Sequence, residues 1–120
     1  MRDEVDLAGL AALIGDPARA RMLTAVMSGT ALTATELALE AGIAASTASA
    51  HLAKLTAGQI LAIEKQGRHR YFRLFDAEVA AMLEELMGMA SSRGPRRRTG
   101  PSDPALRLAG VCYDNLAGER

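Results

Sequence analysis

Between Thr33 and Leu74 the hydrophobic pattern switches from a helical period to an alternating one, and this switch restricts the chain to few folds. Thr33 and Glu36 stand at capping-box spacing ahead of a helix whose Leu37 and Ala41 face inward. Gly42 breaks that helix, and a new one begins near Ala45. Ala48, Leu52 and Leu55 recur at i, i+4 and i+7 and define a core-facing side. The opposite side shows Ser46, Thr47, Ser49, Ala50 and Lys54, and Gly58 stops the helix. Ile60, Leu61 and Ile63 then start a strand, Gln66-Gly67-Arg68 form a turn, and Tyr71, Phe72 and Leu74 lie on the returning strand. Two short strands are marginal alone, so the hairpin must lean on the helices. A short helix, a tight turn and a second helix with a small, polar outer face make a helix-turn-helix pattern, here followed by a basic hairpin.

The flanks extend this unit. Leu7, Leu10, Ala11 and Ile14 predict a first helix near residues 5–15, ended by Gly15. Asp16 is a good N-cap and Pro17 suits the first helical position of a second helix. Met22, Leu23, Val26 and Met27 form its buried face, and Gly29 is expected to close it. Asp76 caps a fifth helix over about 76–92, with Glu78 favoured by the dipole and an apolar stripe of Val79, Met82, Leu83, Leu86, Met87 and Ala90. The expected architecture is mainly α with a two-stranded β element. A chain of 120 residues holds one domain with an appendage. Residues 1–92 form that domain, 93–101 read as a basic Pro/Gly linker, and 102–120 as a C-terminal helix opened by Asp103-Pro104.

The formal net charge is zero, but it is unevenly spread. Residues 44–75 carry Lys54, Lys65, Arg68, Arg70 and Arg73 against Glu64 alone, and Arg93, Arg96, Arg97 and Arg98 form a second basic block. A local field of this sign attracts phosphates, although a solvated basic hairpin without a partner has the same composition. A helix that enters a DNA major groove must bring small donors and acceptors to the base edges, which Ser46, Thr47 and Ser49 can do, with Ala50 beside them. Lys54 and His51 reach phosphates if they face outward; the competing reading has His51 hydrogen-bonded within the fold. Arg68, His69 and Arg70 at the hairpin tip can enter a minor groove or clamp the backbone.

Other classes find little support. There is no Gly-rich phosphate loop and no nucleophile–base signature, and Glu84-Glu85 lie on a helix that otherwise reads as packing plus a solvated face. Catalysis is not expected. Cys112 is the only cysteine, so no intrachain disulfide forms, in keeping with a reducing cytoplasm. No run of 18 apolar residues spans a membrane, and the acidic N-terminus lacks a signal-peptide core. A soluble cytoplasmic protein is expected.

The segments "DPARARMLTAVMSG" and "ELALEAGIAASTASAHLAKLTAGQILAIEKQGRHRYFRL", with the helix that follows, resemble the ArsR/SmtB family of winged helix-turn-helix transcriptional repressors. The resemblance covers residues 5–90 and rests on Asp16-Pro17-x-Arg19, Glu36-Leu37-Ala38, Ser46-Thr47-x-Ser49-x-His51-Leu52, Gly58-x-Ile60 and Gly67-Arg68-x-Arg70-Tyr71. It implies a homodimer joined through the first and fifth helices, here through Leu7, Leu10, Ile14, Val79, Met82, Leu83 and Leu86. It also implies repression at a palindromic operator in double-stranded DNA, with release by an effector. Family members often carry Gln or Arg on the recognition helix, where this chain has Ala45 and Ala50. Base readout is then expected to lean on Ser46, Thr47 and Ser49, on thymine methyls and on DNA shape.

The family's metal-sensing motifs are missing: the third helix has no Cys pair and the fifth no His or Cys. No cofactor is expected, and the residues argue against a metal or metalloid effector. "RLAGVCYDNLAGER" resembles a segment of a longer subgroup in which a Cys-Tyr-Asp-His-Leu-Ala-Gly run precedes a further C-terminal domain. Asn115 replaces the His, and the sequence here runs to Arg120. Cys112 is either a buried small hydrophobe or a thiol-reactive effector site. The alternative to a DNA-binding regulator is a winged helix that binds protein without specific DNA affinity.

Overall fold

The computed structural model describes residues 5–93. The stretch expected to be a linker beyond Arg93, the segment 102–120 expected to be a C-terminal helix, and Cys112 all lie outside the described residues. Five helices and one hairpin follow in the order α1 (Leu7–Ile14), α2 (Pro17–Val26), α3 (Ala34–Ala41), α4 (Ala45–Ala57), β1 (Leu61–Gln66), β2 (His69–Leu74) and α5 (Ala77–Ser92). The boundary between two compact units falls between Ala80 and Ala81, inside α5.

Local chemistry sets most of the helix ends. The Asp16 carboxylate accepts from the N–H groups of Ala18 (2.9 Å) and Arg19 (3.1 Å), satisfying donors that the first turn of α2 leaves unpaired. Thr33 and Glu36 form a complete capping box: the Thr33 N–H donates to Glu36 Oε1 at 2.9 Å, and the Glu36 N–H donates to Thr33 Oγ1 at 3.2 Å. Asp76 accepts from the Val79 N–H at 3.0 Å and starts α5. Gly42 ends α3 in the left-handed conformation. Helix α2 stops at Val26, earlier than a closure at Gly29 implies, because Met27 already bonds back to Thr24 through a tighter 3.2 Å contact.

At the end of α4 the left-handed residue is Gln59 (φ 61°), whereas Gly58 is ordinary (φ −84°). A residue with a Cβ costs about 1–2 kcal/mol in that region. Gln59→Gly is therefore expected to raise stability by about 0.5–1 kcal/mol in urea unfolding.

The core of the first unit combines Met22, Leu23 and Val26 of α2, Leu37, Ala38 and Ala41 of α3, and Ala48, Leu52 and Leu55 of α4. Ile60, Leu61 and Phe72 close it from the hairpin side. The strands pair antiparallel, with Leu61 opposite Leu74 and Gln66 opposite His69, so the turn is only Gly67-Arg68. Gly67 has φ 61° at the first of two central turn positions, a place that suits Gly in a tight hairpin. Leu32 exchanges two backbone hydrogen bonds with Phe72, at 3.0 and 2.7 Å, a one-residue third strand that ties the hairpin to the segment before α3. The Phe75 N–H donates to the Ile60 carbonyl at 2.9 Å and closes the hairpin base.

Helix α1 contributes no buried residue, and Val5 and Leu7 are almost bare. In the second unit Leu83 is buried, while Leu86, Met87 and Met89 of α5 are exposed. No helix among the described residues is long and apolar enough to cross a membrane.

Candidate nucleic-acid interface

Helix α4 has two chemically distinct sides. Ala48, Leu52 and Leu55 are sealed in the core, at 0, 1 and 0% exposure. Ser46, Thr47, Ser49, Ala50 and Lys54 are all exposed. Short side chains here leave the backbone accessible and let the helix approach a partner closely. Its N-cap, Ala44, has extended backbone angles suited to capping but no side-chain hydrogen bond. Ala44→Ser supplies the missing acceptor and is expected to add about 1 kcal/mol of stability, read from the thermal midpoint.

The hairpin carries the charge. Arg68, His69 and Arg70 are exposed at its tip. In the strand register Lys65 lies directly opposite Arg70, on the same side of the ribbon as Ile63 and Phe72. Like charges in this position repel, and an anion between them removes the penalty. Lys65 is thus a member of the basic group that sequence reasoning left out of the contact set; the signal is its cross-strand pairing with Arg70. Among the described residues Lys54, Lys65, Arg68 and Arg70 form no ion pair. Arg73 differs: its side chain donates to the carbonyls of Leu74 (2.9 Å) and Phe75 (3.1 Å), and Glu64 lies 3.5 Å away. The one carboxylate of the region is therefore spent on the one arginine that is already engaged internally.

His51 faces inward. Its Nδ1 lies 2.9 Å from an Arg19 guanidinium nitrogen and its Nε2 3.8 Å from Asp16 Oδ2. This arrangement is the intramolecular alternative for His51 and removes it from the outward phosphate-contacting group. Arg19 also donates to the carbonyls of Leu13 (2.7 Å) and Ala12 (3.2 Å). The Arg19 N–H holds the Asp16 carboxyl below its ordinary value, aided by the Ala18 N–H and the nearby His51 ring and Arg19 guanidinium, against partial desolvation that raises it. The residues expected to join subunits are spread over a range of exposure: Leu7, Leu10 and Leu86 are exposed, Ile14, Val79 and Met82 half-buried, and Leu83 buried within the single chain.

Comparison with known proteins places this geometry. A family described as a helix-turn-helix domain matches residues 14–64, which run from the end of α1 into the first strand. The homodimeric winged helix-turn-helix DNA-binding domain of Mb0332 from Mycobacterium bovis superposes with a TM-score of 0.64, covering 84% of this chain and 100% of that one at 19% identity. The fold is a winged helix-turn-helix. In these terms α3 and α4 are the helix-turn-helix and β1–β2 the wing. The transcriptional repressor PagR of Bacillus anthracis shares the winged helix-turn-helix at a TM-score of 0.59 and 26% identity, over 68% of this chain and 92% of PagR. The chain is also 38% identical over 114 residues to YdfF of Bacillus subtilis, an uncharacterized HTH-type transcriptional regulator. That match covers 94% of this chain and 50% of YdfF, so the chain spans about half the length of this curated relative.

Proposed function

We propose that this winged helix-turn-helix is a homodimeric, sequence-specific DNA-binding regulator of transcription of the ArsR type. The observation that carries the reading is the pairing of an exposed small-polar helix face with a wing whose Lys65, Arg68 and Arg70 form no ion pair among the described residues. On α4, Ser46, Thr47 and Ser49 read base edges, Ala50 meets thymine methyls, and Lys54 lies on phosphate. On the wing, Lys65, Arg68, His69 and Arg70 hold the backbone or the adjoining minor groove. The like-charge Lys65–Arg70 pair favours an anionic partner over a neutral protein surface.

Two copies associate through α1 and α5, whose Leu7, Leu10 and Leu86 the single chain leaves open to solvent. Such a pair presents two α4 helices to successive turns of one duplex. Repression relieved by an effector is the mode that the family resemblance favours, in the cytoplasm. Cys112 is the effector candidate, and similarity to YdfF and PagR supports a regulator over an enzyme.

Selection of bound duplexes from a random pool tests this reading. The expected product is a palindrome with half-sites about one helical turn apart, roughly 10 base pairs centre to centre. Failure to enrich any duplex, at a salt concentration where basic proteins bind DNA, leaves the protein-binding module as the better account. Candidate effectors, thiol-reactive compounds first, are then scored by release of the selected duplex.

A further inference from the structure

Helix α1 touches the rest of its unit through its last turn. The final carbonyls of a helix have no intrahelical donor and carry its negative end. Arg19 supplies donors to two of them, Nε to Leu13 and a terminal nitrogen to Ala12. The remaining terminal nitrogen lies 2.9 Å from His51 Nδ1 on α4. A guanidinium only donates, so Nδ1 is the unprotonated ring nitrogen and the ring proton sits on Nε2, on the side of Asp16. Asp16 is itself immobilised as the cap of α2. A second contact lies beside this one. The Leu13 side chain occupies the space where a Cβ on Gly58 would project, so α1 also abuts the C-terminal end of α4. One arginine thus spans three helices, with its two carbonyl acceptors on α1, its backbone on α2 and its imidazole acceptor on α4.

We infer that Arg19 is a positioning residue that sets the orientation of α4 relative to α1, and through it the spacing of the two α4 helices in a dimer. The inference rests on the DNA-binding reading above. Arg19 contacts no base or phosphate in this role. It acts because α1 joins the partner subunit while α4 reads DNA, and the guanidinium is the polar connection between them. Gly58 belongs to the same joint, since a side chain there would displace the Leu13 side chain from its seat against α4.

The test compares wild type, Arg19→Gln, His51→Ala and the double variant. Hydrogen exchange without DNA comes first. Amides of Ala11–Ile14 are expected to exchange at least tenfold faster in Arg19→Gln, while those of Leu37–Ala41 keep their rates. Binding is then measured to the duplex selected with wild type, and to versions with one base pair added or removed between half-sites. Wild type is expected to prefer the selected spacing. Arg19→Gln is expected to bind that duplex at least tenfold more weakly with an unchanged salt slope, and to lose most of the preference for spacing. His51→Ala does the same, and the double variant is no worse than Arg19→Gln. A merely destabilising substitution weakens all spacings equally, which overturns the inference. So does a salt slope reduced by about 0.9 per subunit, which marks Arg19 as a phosphate contact, and so do additive effects of the two substitutions. If wild type binds no duplex, the DNA-binding reading falls, and unchanged exchange in Ala11–Ile14 refutes the joint independently.

Discussion

Arg68→Ala combined with Arg70→Ala is expected to weaken binding to the selected operator by about a hundredfold or more at low salt, and to flatten its salt dependence by about 1.8 per subunit. The slope is the informative part. Each phosphate neutralised by a cation releases condensed counterions, and log K falls by about 0.9 per phosphate for each tenfold rise in salt. Arg68 and Arg70 are exposed at the wing and form no ion pair among the described residues, so removing them takes nothing from the folded core. The thermal midpoint should stay within about 2–4 °C, since exposed substitutions away from special contacts change stability by about 0.5 kcal/mol or less. It can even rise, because the Lys65–Arg70 repulsion disappears. Arg73→Ala provides the contrast. It breaks hydrogen bonds to the Leu74 and Phe75 carbonyls and should lower stability while leaving the slope in place. An anisotropy titration at several salt concentrations separates the two arginine classes.

The second large effect lies on the opposite side of α4. Leu55→Ala is expected to cost about 2–5 kcal/mol in denaturant unfolding. Leu55 is fully buried, and its removal leaves a void where α4 meets the other helices and the hairpin. Small domains carry only about 5–15 kcal/mol in total, so the variant should sit near its folding threshold at 37 °C. Ser49→Ala is the matched control, six residues earlier on the exposed face. It should leave stability within about 0.5 kcal/mol and reduce operator affinity by about tenfold. One helix thus separates folding from recognition.

How much of this was legible in the sequence depends on how local the physics is. Asp16, Thr33 with Glu36, and Asp76 were readable as caps because a capping bond closes over two or three residues. The buried side of α4 was readable because Ala48, Leu52 and Leu55 repeat with the helical period. The Leu32–Phe72 bridge was not, since a single backbone pair leaves no side-chain pattern. The left-handed geometry of Gln59 was also hidden, because the local pattern offers a glycine, Gly58, one residue earlier, and the close approach of Leu13 to Gly58 is a tertiary fact. Arg19 and His51 are far apart in the chain, and either one read alone is an ordinary polar residue. His51 in particular looked available to phosphate until its ring was seen between Arg19 and Asp16. Lys65 was visible as a charge, but its partnership with Arg70 needed the strand register.

The most direct test of the central claim is a backbone amide NMR titration of the chain with its selected duplex. The largest shifts are expected at Ser46–Lys54 and Gly67–Arg70, with little change at Leu37–Ala41. Shifts concentrated on the α1 and α5 residues, or absent from both α4 and the wing, would contradict it.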